Sequence, residues 1–149
     1  MDEQAIAEIA AWAVLAVNLV AGAFAAWRWW TVRPSDAAWP LLRAGQGVAF
    51  AQAVAAGVLF AMDYAPADDL YWLYALLPVA IGLIAEQLRV ASAEQVLEHR
   101  DLPDAQAVGA LPEAQQRSVV LAIVRRELGI MALAALVVAF LALRAALIV

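Results

Sequence analysis

The stretch Leu128–Val149, LGIMALAALVVAFLALRAALIV, is apolar from end to end except for Arg144. About twenty such residues is the length an α-helix needs to cross a hydrocarbon core of roughly 30 Å. In lipid, every backbone N–H and C=O has to be paired within the segment itself, so a stretch like this can only be helical. Three further stretches read the same way, at roughly 9–27, 41–62 and 70–85, with the last span at 128–148. The expected fold class is therefore an all-α integral membrane protein. It is a polytopic four-helix transmembrane bundle forming one domain over residues 1–149. At 66% hydrophobic and 15% charged residues, the chain lies far from the roughly half-apolar, quarter-charged soluble norm.

The first span, IAAWAVLAVNLVAGAFAAW, has Glu8 at its mouth and Asn18 near its middle. It ends in Trp27-Arg28-Trp29-Trp30, an aromatic and basic cluster of the kind that settles at headgroup level. The acidic start MDEQAIAEIA lacks the basic region of a signal peptide, so this span is expected to stay in the mature protein. After the loop TVRPSDAAWP, Pro40 is placed to open the second helix. That helix carries Gly45, Ala49, Ala53 and Gly57 at every fourth residue, a small-xxx-small stripe that lets another helix approach closely. Gln46 and Gln52 are its polar residues. In the turn DYAPADD, Asp68 or Asp69 can cap the third helix. Tyr71, Trp72 and Tyr74 mark that helix's entrance, and Pro78 in its interior removes a backbone bond.

Helical character continues past the third span to about Pro103. After a connector containing Gly109, Pro112 is a good first residue for a last helix running to the C-terminus, about 55 Å long at 1.5 Å per residue. Helices three and four should thus project as a helical hairpin over roughly 86–127, with Val90, Ala93 and Leu97 packing on Val119, Val120, Ile123 and Val124. Of nine basic residues, all arginine, Arg28, Arg33 and Arg43 flank the first loop. Arg89, Arg100, Arg117, Arg125 and Arg126 belong to the third, and only Arg144 falls at the opposite end. This positive-inside bias places both termini outside a cell (plasma) membrane and the hairpin in the cytoplasm. It also argues against insertion in two opposite orientations. The all-arginine, alanine-rich usage points to a GC-rich, bacterial-like genome.

Four constellations stand out. At the midplane, Asn18, Gln52 and the break at Pro78 read either as a polar pocket or pore constriction, or as amides bridging helices. The second is favoured because functional intramembrane sites usually include an ionisable group. An inner-rim charge network of Arg28, Arg43, Glu86, Arg89, Arg125, Arg126 and Glu127 reads as a gate or a clamp for anionic lipid headgroups. Its plainer reading is a topology signal with ordinary ion pairs. At the outer rim, Glu8 and Arg144 are expected to pair between helices one and four. The hairpin either closes on itself or docks another protein.

Chemistry is mostly excluded. Without cysteine and with the single histidine His99, there is no disulfide, no thiolate metal site and no bis-histidine haem within one chain. His99 reads as a solvated residue. Ser35, Ser92 and Ser118 have no base in prospect, and no Gly-rich phosphate loop is present, so neither catalysis nor a cofactor is expected. Nor is nucleic-acid binding, since the arginines alternate with acids. The leading expectation is a non-enzymatic membrane subunit or scaffold acting through helix–helix association, with itself or with a larger membrane partner. The alternative is a small homo-oligomeric channel or transporter for a neutral or weakly charged solute. Lipid binding at the basic rim ranks third.

Overall fold

The computed structural model describes residues 2–33 and 35–149. It contains five helices: α1 (Glu3–Trp30), α2 (Ala38–Ala61), α3 (Leu70–Glu98), the short α4 (Ala105–Gly109) and α5 (Glu113–Ala146). No strand occurs among the described residues. Four of the helices are long and apolar enough to cross a membrane.

Local chemistry sets the boundaries. Asp2 Oδ1 accepts from the Ala5 N–H at 2.7 Å and opens α1, satisfying one of the donors a helix start leaves free. The Thr31 hydroxyl donates to the Trp27 carbonyl and closes it. Pro40 lies in the first turn of α2, which begins at Ala38, two residues earlier than expected. Proline is tolerated throughout that turn because its missing N–H has no intrahelical partner there. Of the two aspartates before α3, Asp68 does the capping, its Oδ1 accepting from Leu70 N–H at 2.9 Å. In the same turn, burial and then the charges of Glu3 and Asp2 raise the pKa of the Tyr64 hydroxyl above its ordinary value. Asp104 caps α4 in the same manner, and Pro112 stands just before α5 rather than inside it.

The buried residues of α1 recur at 7, 11, 14, 18, 21 and 25, and those of α2 at 38, 42, 45, 49, 52, 56 and 59. Alternating steps of four and three are the heptad repeat of knobs-into-holes packing. The core they form is made largely of alanine. Ala21 and Ala25 of α1 cluster with Ala132 and Ala135 of α5, and Ala7 and Ala11 with Ala145, while Ala142 packs in a cluster with Val14. At Gly22 the two helices come close: a Cβ there would lie 2.9 Å from Leu136 Cγ and 3.1 Å from its backbone nitrogen. Larger apolar side chains, among them Leu19, Phe50, Phe60, Leu83, Leu133 and Phe140, point outward. α5 packs along α1 and α3, α2 packs along α1, and the α2–α3 seam is the loosest of the four.

Beyond the apolar stretches, α3 and the start of α5 stay in contact, with Arg100 donating to Ser118 at 3.3 Å. The register there differs from expectation. Ser92, Val96 and Val119 are buried, whereas Val90 and Val120 are half-exposed. The inward face of α3 keeps the heptad that Ala85 begins, at 85, 92 and 96. Val90, five residues past Ala85, therefore lies about 140° away around the helix. Ser92 can occupy that face because its hydroxyl donates to its own helix, to the Arg89 carbonyl at 2.8 Å.

Candidate functional site

Two places gather polar chemistry inside this apolar shell. The first is a charge cluster joining α2, α3 and α5 at their arginine-rich end. Arg43 and Gln46 are one turn apart on α2, and Glu86 and Arg89 one turn apart on α3, so each pair shares a face. Arg43 grips Glu86 through both carboxylate oxygens, at 2.6 and 3.2 Å. Gln46 Nε2 donates to Glu86 at 2.9 Å, while its carbonyl accepts from Arg43 at 2.8 Å. Arg89 Nε donates to the second Glu86 oxygen at 3.1 Å, and its Nη1 lies 3.5 Å from Glu127. Glu86 thus receives four donors, about the capacity of a carboxylate. Arg89 is backed by the Trp39 ring at 5.8 Å. The four charges alternate in sign and sum to zero.

Of the seven rim residues, the structure brings Arg43, Glu86, Arg89 and Glu127 together. Arg125 and Arg126 are exposed, and Arg125 stacks on Trp29 at 5.6 Å. They precede Glu127 by two and one residues, which rotates them about 200° and 100° away from it around α5. Arg28 lies over Trp27 and donates to the Arg33 carbonyl at 3.1 Å. Gln46 is the member sequence reasoning passed over as a rim residue. The signal for it was present in the Arg43-x-x-Gln46 spacing, which puts its amide beside the arginine.

The second place is a groove of about 260 Å³ along the loose α2–α3 seam, floored by α1 and α5. Its polar end is the Arg43–Gln46–Glu86 group, and Asn18 and Pro78 line its inner part. Asn18 is 3% exposed, and its Nδ2 donates to the Val14 carbonyl at 3.0 Å and the Gly45 carbonyl at 3.1 Å. It clamps α1 to α2. Pro78 is buried in α3 and, having no N–H, leaves the Tyr74 carbonyl without its usual helix partner.

Gln52 does not line that groove. It lies seven residues past Gly45, hence about 10 Å further along α2 than the Asn18 contact. It faces a different hollow, about 310 Å³, between α1 and α2 and lined by Ile6, Ile9, Ala10, Ala13, Val48, Ala51 and Ala55. The midplane trio is therefore split between two depths and two grooves. Matching positions by the middle of each span misplaced it, because α1 and α2 start at different points relative to their apolar centres. Gln52 is 2% exposed, and neither of its amide atoms has a partner among the described residues.

The small-residue stripe is likewise divided. Gly45 and Ala49 are buried, Ala53 is half-buried and Gly57 is exposed. A fourth-residue stripe drifts about 40° per step around a helix of 3.6 residues per turn, so Gly57 stands about 120° from Gly45. A Cβ at Gly45 would meet Asn18 Oδ1 at 2.6 Å, whereas one at Gly57 would meet nothing within 4 Å. The outer pair does not form. Arg144 stacks on Tyr74 of α3 at 5.8 Å, and Glu8 is exposed on α1 with no ion pair among the described residues. His99 is exposed, its Nδ1 2.7 Å from the Gln95 carbonyl. No group of His, Cys, Asp and Glu side chains that could hold a metal is found among the described residues.

Set against family models, curated proteins and solved structures, the chain shows no significant match.

Proposed function

We propose that the chain is an integral membrane protein without catalytic activity, working through association of its α1–α2 face with a second copy of itself. Both termini lie outside, and the extended parts of α3 and α5 form a helical hairpin in the cytoplasm. The pattern of large apolar side chains outside and alanine inside supports insertion, since helices in lipid associate through small residues rather than by hiding leucine from water.

One observation carries the association: Gln52 is buried with an unpartnered amide beside a hollow lined by four alanines together with Ile6, Ile9 and Val48. An unpaired polar group costs several kcal/mol in hydrocarbon. Ala10, Ala13, Ala51 and Ala55 leave room for a helix to come close. The amide carries both a donor and an acceptor, so two copies related by a two-fold axis can satisfy each other reciprocally once the side chains turn into the shared interface. A channel or transporter reading has no shared site at Asn18 and Gln52 to rest on, because these face different grooves.

The test is native mass spectrometry of the protein released from nanodiscs, comparing wild type with Gln52→Leu. Interhelical amide bonds are worth about 0.6–2 kcal/mol each, so losing two should weaken the dimer by about tenfold or more. A wild type that stays monomeric at every lipid dilution refutes the proposal. A stoichiometric second protein in place of a dimer would assign the face to a different partner and refute self-association.

A further inference from the structure

The α2–α3 groove is a separate feature from the α1–α2 face, and its chemistry is graded along its length. From Arg43 to Phe50 on α2 and from Glu86 back to Pro78 on α3, it runs about 10–12 Å along the helix axes. All of its charge is at one end. Apart from Asn18, the rest is lined mainly by apolar side chains, among them Phe50, Val79, Leu83, Met131 and Val138. Its volume of about 260 Å³, against about 30 Å³ for one water in the liquid, leaves room for a length of acyl chain. Gly82 keeps the middle of the groove wide: a Cβ there would come no nearer than 4.0 Å to any neighbour, that neighbour being Gln46 Nε2.

The polar end is not fully used. A guanidinium has five N–H donors. Arg43 spends two on Nη1, to Gln46 and Glu86, and one on Nη2, to Glu86. Two remain without a partner among the described residues, on a side chain that is 51% exposed. Glu86, by contrast, is saturated and offers nothing further to a cation. Arg43, Glu86, Arg89 and Glu127 sum to zero charge among themselves, so what the cluster itself presents to the groove is spare donors.

We infer that the α2–α3 groove binds one phospholipid, with an acyl chain lying from Gln46 to Pro78 and phosphodiester oxygens accepting the two spare Arg43 donors. A phosphodiester is a strong acceptor, and arginine is the side chain best shaped to donate to it. Since the cluster's own charges cancel, the groove reads the phosphate and not the overall headgroup charge. Zwitterionic and anionic phospholipids bind alike, and diacylglycerol, which lacks the phosphate, binds more weakly. The inference rests on the membrane reading of the fold.

It is tested by native mass spectrometry of the detergent-solubilised protein titrated with phosphatidylcholine, phosphatidylglycerol or diacylglycerol. Membrane insertion is checked separately by alkaline carbonate extraction, so failure of the fold reading shows as release into the aqueous fraction, whatever the lipid result. Expected are one tightly retained phospholipid per chain, similar affinities for the two phospholipids, and about tenfold weaker binding of diacylglycerol. Gly82→Leu, which fills the groove where space is open, should abolish retention with the melting temperature kept, while Gly82→Ala should not. Arg43→Gln should erase the preference over diacylglycerol. Equal retention by wild type and Gly82→Leu would mean annular lipid only and overturn the inference. So would no retained lipid on the wild type, a clear preference for the anionic lipid, or diacylglycerol binding as well as phospholipid.

Discussion

Gly45→Ala is the sharpest probe of the packing. The new methyl would lie 2.6 Å from Asn18 Oδ1 and 3.1 Å from its Cγ. Asn18 cannot swing aside without loss, because its Nδ2 is held by the Val14 and Gly45 carbonyls. Either α1 and α2 separate or the amide is torn from Gly45. Overpacking of this kind costs about 1–3 kcal/mol, and the interhelical hydrogen bond adds roughly 0.6–1.7 kcal/mol. Replacing a helical glycine by alanine returns about 1 kcal/mol. The net is a loss of about 0.6–3.7 kcal/mol. Gly57→Ala, in the same helix but with open space around its Cβ, keeps only the last term and should stabilise by about 0.5–1 kcal/mol. Reversible unfolding in mixed SDS micelles, followed by circular dichroism, measures both. The decisive arm is a double-mutant cycle: in an Asn18→Ala background the clash is gone, and Gly45→Ala should turn from destabilising to neutral or stabilising. If Gly45→Ala costs the same with and without Asn18, the close α1–α2 contact is wrong.

Glu86→Ala leaves Arg43 and Arg89 facing each other across a partly buried rim, so it should lower stability by about 1–3 kcal/mol in the same assay, with Arg117→Ala, an exposed pair to Glu113, changing it by under about 0.5 kcal/mol. Gln52→Leu should raise the stability of the isolated protomer by about 1–3 kcal/mol, since it removes a buried amide without partners, even as it weakens the dimer; a loss in protomer stability would show that the amide is satisfied inside the fold. In the α3–α5 extension, Val96→Asp should open the contact and expose it to limited proteolysis, whereas Val90→Asp should leave the digestion pattern unchanged; equal cleavage in both would return the buried face to the Val90 register.

The four long apolar helices were legible because length and hydropathy alone decide them. What each helix buries was not, for a reason particular to this kind of chain. In α1, Ala11 and Val14 are buried while Leu19 and Val20 are exposed, yet all four score as apolar. When the outside is as hydrophobic as the inside, the amphipathic contrast that marks a core in a water-soluble helix disappears. The heptad of small residues then carries the information. Reading α2 by a strict fourth-residue stripe followed Gly45 and Ala49 correctly and then drifted out to Gly57. The inward set steps to Gln52 and Ala56, and that Gln52 lies nearly on the Gly45/Ala49/Ala56 face was itself readable from the sequence. A similar bias toward apolar residues chose Val90 over Ser92, a polar residue hidden by bonding its own backbone.

At the rim, depth was readable and direction was not. Arg43, Glu86, Arg89 and Glu127 share a level with Arg125 and Arg126, but rotation around α5 decides which of them meets the cluster. The α2–α3 groove left one trace in the sequence: Pro78, Gly82 and Glu86 fall at every fourth residue. These are a missing helix hydrogen bond, a gap and a charge along one side of α3. That trace specifies a path with a polar end but not how far α2 stands from it.

Self-association through the α1–α2 face is tested most directly by cross-linking in intact membranes. The chain has no cysteine, so a single introduced thiol reports without background. Ala51→Cys, in the hollow beside Gln52, is predicted to give a disulfide-linked dimer of twice 15.9 kDa on mild oxidation, because reciprocal Gln52 pairing puts the two-fold axis beside residue 51 and so its two copies within reach of a bond. Phe140→Cys, exposed on α5, is predicted to stay monomeric. Equal cross-linking at both positions, or none at Ala51→Cys, would contradict an interface on that face.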